Sequence, residues 1–260
     1  IANIARYRRE LEAVADTLDI QALPRNEQLA FWFNLHNVAL VEKIAAEWPV
    51  YIPRDILVDG VPLDEAPFIT VRGIALSPRD IREQIVFRHW KNPKAIYGFW
   101  RGEIGGPAMQ REAFDGRDIA EQLDRAAREF ANSRRGVERR GDTLHVSQFY
   151  AEAAPFYFPQ FEQDLCAHLA NYVEGKVANM LVETEMVKAS IYEHDIADLS
   201  GGRPPSLFYR GGQLSPQVLK LLGERAQKFE YMRRKDIPIY TVTFSNIILP
   251  GDPPRNSEVE

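Results

Sequence analysis

The chain has 260 residues, of which 45% are hydrophobic and 27% charged, an ordinary globular composition with enough length for a substantial core. Its formal net charge of −5 is mild and it has no long basic block, so we predict that it does not bind nucleic acid. No run approaches the roughly 18 apolar residues of a membrane span, and a single cysteine, Cys166, excludes an internal disulfide.

Apolar periodicity predicts two helices at the start of the chain. Residues 2–18 carry one apolar face, which is typical of an amphipathic helix. A second helix is predicted from Asn26, a suitable N-cap, to about Glu47, ahead of Pro49. Residues 29–33 are apolar on every side, so we expect this second helix to be central and buried.

The middle of the chain alternates short strands with helices. Serine residues that precede helical patterns, such as Ser77 before Pro78, supply the N-caps. In chain order, we predict a strand over 68–71, a helix over 77–89, a strand over 95–100, a helix over 117–131, a hairpin over 137–146, a short helix from 147 and a helix from 161 to about 173.

The last 60 residues differ from the rest. A break rich in glycine and proline at 201–205 predicts a domain over 1–200 and a C-terminal extension over 201–260 that packs on it. The extension is predicted to hold a helix from 216 and a strand over 237–244. Its polar tail, residues 250–260, is expected to be disordered.

Three polar residues stand in or beside the apolar central helix: Glu27, Asn34 and Asn37. Asn34 and Asn37 are three residues apart and share a face. A buried amide without partners costs about 1–3 kcal/mol, so both side chains need hydrogen bonds. They either brace a neighbouring loop or line a pocket, and the sequence leaves both alternatives open.

This helix resembles the opening motif of a bacterial family, the domain of unknown function 547. The family motif is approximately Glu-x-x-Ala-Phe-Trp-x-Asn-x-Tyr-Asn, and His36 stands where tyrosine is usual. The resemblance covers roughly residues 5–200 and is strongest over 26–40. The matching segment is Asn26-Glu27-Gln28-Leu29-Ala30-Phe31-Trp32-Phe33-Asn34-Leu35-His36-Asn37.

The resemblance implies an α+β fold of the papain-like or transglutaminase-like class. We expect the central helix to pack on a small antiparallel sheet, and the residues after 200 add the C-terminal helix–strand extension. It also implies a periplasmic or secreted protein, with the cytoplasm as the alternative. The chain starts at Ile1 rather than at methionine, which favours a processed or trimmed product.

The chain departs from the family at the residues that would carry chemistry. Family members commonly have a Ser-Cys-Pro sequence, which suggests a thiol nucleophile. In this chain that position falls on Gly105-Gly106, ahead of Pro107. Cys166 lies far along the chain on an amphipathic helix, where it is predicted to be a small, half-buried hydrophobic residue. We therefore predict a domain that lacks the nucleophile.

The glycine-rich segment still has features of a binding site. Gly105 and Gly106 would let the backbone approach a ligand, their free N–H groups would favour an anion, and Pro107 suits a helix start. Arg101 offers a guanidinium fork for a carboxylate or phosphate, and Glu103 is expected to pair with Arg101 or to act as an acid or base. The alternative is a tight turn with a surface ion pair.

Two histidines are candidates for remaining chemistry. His145, in the predicted hairpin, follows the glycine segment in the order that is usual for papain-like folds. His194 stands among Glu193, Asp195 and Asp198, a cluster with no fixed zinc or calcium spacing. We favour a solvated acidic turn there, and we predict no metal and no cofactor.

The leading hypothesis is a non-catalytic domain that binds a peptide, a small anionic ligand or a protein partner in the ancestral cleft of the papain-like fold. The predicted ligand-binding residues are Glu27, Asn34, Asn37, Arg101, Gly105 and Gly106. The alternative is a hydrolase or transferase that uses Glu103 and His145 with a bound water. A third hypothesis is an assembly protein whose extension, 201–260, docks on a partner. The sequence names neither a ligand nor an oligomeric state.

Overall fold

The computed structural model describes residues 2–48, 50–183 and 186–197. The predictions for the extension, 201–260, and for its tail, 250–260, lie outside the described residues. None of the helices in the described part is long and apolar enough to cross a membrane.

The described part is a mixed α+β domain, as predicted. Seven α-helices and seven short strands follow one another with three 3₁₀ turns and one π-helical segment among the described residues. The helices are α1 (Ala2–Thr17), α2 (Arg25–Ala46), α3 (Phe87–His89), α4 (Ile119–Ala131), α5 (Gln148–Tyr157), α6 (Phe161–Leu169) and α7 (Gly175–Val182). The strands are β1 (Leu57–Val58), β2 (Val61–Pro62), β3 (Ile69–Val71), β4 (Ile74–Leu76), β5 (Val137–Arg140), β6 (Thr143–Ser147) and β7 (Met186–Ile191).

Helix α2 is central and buried, as its apolar sequence predicts. Eleven of its 22 residues are buried, including Phe33 and Leu35, which have no exposed surface. Its start differs from the prediction: Asn26 is not the N-cap, because the helix begins at Arg25 directly after Pro24. Proline has no N–H to satisfy, so a helix can begin immediately behind it.

Two of the three sheets are hairpins with tight turns. Strands β1 and β2, and likewise β3 and β4, pair antiparallel across two-residue loops. In both loops the two residues have a positive φ, at Asp59-Gly60 and Arg72-Gly73, which defines type I′ turns.

The third sheet differs from the predicted antiparallel one. Strand β6 pairs antiparallel with β5, which confirms the hairpin, but it pairs parallel with β7. A parallel pair needs a long crossover, and the helices α5, α6 and α7 supply it. Helix α2 packs mainly against α1 and the π-helical segment Asp80–Val86, whereas the prediction placed it on a sheet.

The segment that leads into the glycine pair also differs from the prediction. Residues Pro93–Gly98 form a 3₁₀ helix instead of a strand. Asn92 caps it by accepting a hydrogen bond from the Lys94 amide at 3.0 Å, and Pro93 occupies the first turn. These are helix-start signals that outweigh the apolar run over 95–100. No helix begins at Pro107; the next one in the described chain is α4.

Serine caps were predicted more reliably. The Ser77 hydroxyl accepts from the Asp80 amide at 3.0 Å and donates to the Asp80 carboxylate at 2.7 Å. Ser147 caps α5 by accepting from the Phe149 amide at 3.3 Å. These bonds are local in sequence, and for that reason the pattern alone predicts them.

Candidate functional site

The two asparagines of α2 hold neighbouring loops by pairs of hydrogen bonds. Asn34 donates to the Phe114 carbonyl at 2.8 Å and accepts from the Phe114 amide at 2.9 Å. Asn37 donates to the Gly98 carbonyl at 2.9 Å and accepts from the Trp100 amide at 3.0 Å. The bracing alternative therefore describes both residues, although they also line a cavity of about 360 Å³ next to residues 109–114.

Glu27 lies apart from these two residues. It stands in the first turn of α2, where its side chain packs against Gly116 so closely that a Cβ at residue 116 would lie 2.5 Å from the Glu27 carboxyl carbon. Its negative charge helps to raise the pKa of Arg117, after the larger effect of Asp115. The structure thus gives Glu27 a packing position at the start of the helix.

The glycine pair is buried, and its amides are used inside the protein. Gly105 donates to the Glu193 carbonyl at 2.8 Å, and Gly106 donates to the Glu103 carbonyl at 3.2 Å. The prediction that these N–H groups are free for an anion is therefore wrong. A Cβ at residue 105 would lie 2.8 Å from the Glu193 oxygen, so the close approach of two backbones requires glycine there.

The segment 193–197 covers the glycine pair. The Ile104 amide donates to the Asp195 carbonyl at 2.9 Å, and the Ala197 amide donates to the Gly102 carbonyl at 2.6 Å. An isolated antiparallel bridge joins Glu103 to Ile196. The chain therefore closes this face of the glycine segment with its own backbone.

The other face of the pair is filled by Phe149. A Cβ built on Gly106 would lie 2.5 Å from the Phe149 ring. The Arg101 guanidinium lies 4.1 Å from the centroid of the same ring and pairs with Glu152. Position 106 therefore has no room for a side chain unless Phe149 moves.

One alternative predicted an ion pair between Glu103 and Arg101, but Glu103 has other partners. Its carboxylate is only 2% exposed and pairs with Arg54 and with the His194 ring, whose Nδ1 lies 3.2 Å from Oε2. Gly102, between Arg101 and Glu103, has a φ of +80°, in the left-handed region that favours glycine.

His145 does not join Glu103. Its Nδ1 contacts the Ser190 hydroxyl, across from β6 to β7. Burial lowers its pKa, and the nearby Arg140 adds to this effect. No described hydrogen bond or ion pair links His145 directly to Glu103. The alternative that uses the two residues with a bound water stays a prediction. The histidine that meets Glu103 is His194, which the sequence argument assigned to a solvated turn.

Side chains from several segments meet in a charged cavity of about 200 Å³. Its lining holds three arginines and four carboxylates, and the remaining residues are apolar. No serine, threonine or cysteine is among these described lining residues. The charged members are Arg54, Arg79, Arg101, Asp64, Glu65, Glu103 and Glu152.

Most of these charges are already paired within the protein. Glu152 bridges Arg54 and Arg101, and these two cations outweigh the effect of burial, so that the pKa of Glu152 is lowered. Asp64 pairs with Arg79 and, by two bonds of 2.7 and 2.6 Å, with Arg82. Burial opposes ionisation of Asp64, but Arg82 holds its pKa well below the usual range.

Arg82 connects this cavity to the motif on α2. It is 2% exposed and lies 3.1 Å from His36 Nε2. Because a guanidinium only donates, Nε2 must accept, and His36 Nδ1 then donates to the Asn37 side-chain oxygen at 2.9 Å. Burial, followed by the charge of Arg82, lowers the pKa of His36 to about 3, so the ring is neutral.

The structure therefore defines an α+β domain in which a buried polar network runs from a central helix to a charged cavity beside a closed glycine pair. Residues 20–131 match the family described as Protein of unknown function, DUF547. This match includes the helix motif over 26–37 and the glycine pair on which the predicted resemblance rests. No curated protein and no solved structure matches the chain.

Two of the residues that the sequence singles out, Arg101 and Glu103, line the charged cavity. Ligand binding by Arg101 and catalysis by Glu103 both stay predictions. Their partners Arg54, Glu152 and His194 were missed, because each is distant in sequence. One sequence signal could have revealed part of the network. His36 is a polar ring in a mostly apolar helix, which indicates a buried hydrogen-bond partner, and that partner is Arg82.

The acidic segment near His194 shows no metal site in its described part. No group of three or more histidine, cysteine, aspartate or glutamate side chains that could hold a metal occurs among the described residues. Asp198 of the predicted cluster lies outside them. His194 instead contacts Glu103.

Proposed function

We propose that this domain is a non-catalytic variant of a papain-like or transglutaminase-like fold and that it binds the end of a peptide in the charged cavity. The observation that carries the proposal is the Phe149 ring, which occupies the space that a side chain at residue 106 would need. By the resemblance to the family, that side chain would be the thiol nucleophile. Export to the periplasm or beyond stays a prediction from the resemblance.

The charges of the cavity favour a ligand that carries both signs. Three arginines and four carboxylates line it, and Arg82 behind Asp64 balances the count at four of each sign. A simple anion would have to displace a carboxylate and leave it unpaired, which is costly where the groups are buried. A ligand with one ammonium and one carboxylate group can replace one arginine–carboxylate pair of the protein by two new ion pairs, so that each protein charge keeps a partner.

The size of the cavity limits the ligand further. At about 200 Å³ it is smaller than the roughly 300–1,000 Å³ of drug-sized pockets, so it suits one or two amino-acid residues. Arg54 is 36% exposed and is the arginine most open to exchange among the pairs with Glu103 and Glu152. A free amino acid, a dipeptide or a peptide terminus therefore fits this site by size and charge.

The proposal is tested by calorimetric titration with Ala-Ala and with its N-acetylated and C-amidated forms. We expect Ala-Ala to bind and each blocked form to bind at least about tenfold more weakly, which corresponds to the loss of one charge-assisted bond. Arg54→Gln should weaken Ala-Ala by a similar factor. Arg140→Gln, in an exposed pair with Glu138, is the matched control.

Two results would refute the proposal. One is the absence of binding by Ala-Ala and by free amino acids at millimolar concentration in a folded protein. The other is equal affinity for the free and the blocked dipeptides, since a site that ignores both termini does not use its charges for recognition.

A second candidate function is hydrolysis by a carboxylate–imidazole pair, and the contact between Glu103 and His194 favours it. A buried carboxylate beside a partly exposed imidazole can orient the ring to take a proton from water. Incubation of the protein with Ala-Ala, followed by NMR, decides between binding and turnover. Alanine release that is lost in His194→Gln would establish the enzyme, and an unchanged spectrum would leave binding alone.

A further inference from the structure

A third cavity, less charged than the charged cavity, lies at the first half of α2. Its volume is about 620 Å³, within the range of small-molecule sites. It lies between the start of α2, the β3–β4 hairpin and the end of α3, and its residues are distinct from those of the charged cavity. It is lined by Asp19, Ile20, Gln21, Arg25, Gln28, Trp32, Val71, Arg72, Ile74, Leu76, Ile85, His89 and Trp90.

Two tryptophans give this cavity, which we call the tryptophan cavity, its aromatic surface. Trp32 shares one face of α2 with Arg25 and Gln28, because these residues stand three and four positions apart. Trp90 ends the segment after α3, and the Arg25 guanidinium stacks 3.7 Å from its ring centroid. Arg25 also donates to the His89 carbonyl, so the indole of Trp90 is held in place.

Planar polar groups surround the aromatic rings. Asp19 and Arg72 form a long ion pair of 3.7 Å, and both side chains are more than 60% exposed. Gln21 and His89 add an amide and an imidazole to the lining. These groups can donate or accept hydrogen bonds, and most of them face water rather than buried partners.

The backbone at the edge of the cavity is strained. Arg72 has a φ of +52°, in the left-handed region that residues other than glycine, asparagine and aspartate rarely adopt. Such strain persists where the surrounding structure or a function requires it. Here it belongs to the turn that brings Arg72 to the cavity, close to Asp19.

We infer that the tryptophan cavity binds a neutral saccharide of one or two rings. The apolar faces of a sugar ring pack on indole rings, while its hydroxyl groups form paired hydrogen bonds with carboxylate, amide and guanidinium groups. The cavity supplies both kinds of surface. Its charged lining residues are Asp19 and Arg72, which pair with each other, and Arg25, which is already engaged by the Trp90 ring and the His89 carbonyl, so a neutral ligand suits the site better than an ionic one. The inference is independent of the proposed peptide site, since the two cavities share no lining residue.

The experiment follows tryptophan fluorescence while the full chain is titrated with maltose, cellobiose and chitobiose. Calorimetry measures the binding of indole, an aromatic probe whose own emission would mask the protein signal. We expect at least one disaccharide to change the emission with saturation at millimolar concentration. Trp90→Phe and Trp32→Phe should each reduce this change, and Trp48→Phe, which alters an exposed tryptophan outside the cavity, should not.

A second pair of variants tests where the disaccharide binds, and neither variant changes a buried residue. Ile74 is 63% exposed and lines the cavity, whereas Leu57 is 59% exposed on a different hairpin. Ile74→Glu should weaken the disaccharide about tenfold by calorimetry, and Leu57→Glu should leave the affinity unchanged. Both variants should keep the thermal midpoint of the native chain within a few degrees.

Three outcomes would overturn the inference. The first is that none of the disaccharides binds to the folded protein. The second is that indole binds and no disaccharide does, which would assign the cavity to aromatic ligands. The third is that a disaccharide binds with equal affinity to the native chain and to Ile74→Glu. Binding that is lost with Ile74→Glu and retained with Leu57→Glu supports the site.

Discussion

The two cavities along α2 use charge in opposite ways. In the charged cavity the ion pairs have buried members, such as Arg82 and Glu103, and these groups depend on their partners for solvation. In the tryptophan cavity the pair of Asp19 and Arg72 is exposed, and water solvates both groups. The contrast teaches that the contribution of an ion pair to stability depends on how deeply its members are buried. It also shows that one helix can border two cavities that differ in the burial of their charges.

The largest expected effect on stability comes from the replacement of Asp64 in the charged cavity, compared with the matched replacement of Asp19 in the tryptophan cavity. Asp64→Asn leaves the Arg82 guanidinium buried with only neutral partners close to it, and we expect a loss of about 3 kcal/mol or more in the free energy of unfolding. Asp19→Asn, the matched change in the exposed pair, should cost less than about 0.5 kcal/mol. Urea denaturation measures both values, and equal losses would contradict the contrast.

The second prediction concerns pH. Burial lowers the pKa of His36 to about 3, below its ordinary 6.5, so between these values the unfolded chain binds a proton that the native ring does not. Stability should therefore fall as the pH drops from 6.5 towards 3, by up to about 1.4 kcal/mol per pH unit for this group. His168, whose pKa burial lowers to about 4, adds a change of the same sign.

The pH effect is checked by the stability of the native chain and of His36→Gln at several values between pH 4 and 7. The glutamine oxygen can accept from Arg82 in place of Nε2 but does not titrate. We expect a smaller slope in the variant, with the remainder due mainly to His168. An identical slope would show that His36 is not the buried neutral group of this network.

The third prediction compares the two asparagines. Asn37 is 8% exposed and makes two bonds to backbone groups, so Asn37→Ala should cost about 1–3 kcal/mol. Asn34→Ala removes two similar bonds, but Asn34 is only half-buried, and water can replace part of the loss. Chemical denaturation should therefore rank Asn37→Ala as the more damaging change, and the reverse order would be inconsistent with bracing by burial.

The smallest effect is expected at the hairpin turns. Arg72→Asn places a residue that tolerates positive φ in the type I′ turn at the tryptophan cavity, and we expect a gain of up to about 1 kcal/mol. Asp59→Asn in the other hairpin should change stability little, since aspartate already suits that turn. A thermal midpoint that rises only for Arg72→Asn is the expected result, and a fall for that variant would show that the Arg72 side chain stabilises the turn.

The sequence predicted those parts of the fold that depend on neighbours along the chain. Helix α2, the hairpin of β5 and β6 and the caps at Ser77 and Ser147 were predicted because periodicity and capping are local. Strand β7 was missed because its place depends on a parallel partner more than 30 residues earlier, which no local pattern records.

The candidate site was predicted only in part, for the same reason. Arg101 and Glu103 precede the glycine pair and were identified as candidates, but the partner of Glu103 is Arg54, 49 residues away. The sequence suggested Arg101 as that partner because the two residues are only two positions apart. Likewise, the glycine pair suggested an open turn, and only the structure reveals that Glu193 and Phe149 close it.

The Phe149 ring limits which side chains residue 106 can carry. A cysteine at residue 106 would collide with the ring, and a small residue at 149 alone would leave a void beneath the Arg101 guanidinium. A thiol at this position therefore needs two substitutions, each of them unfavourable without the other.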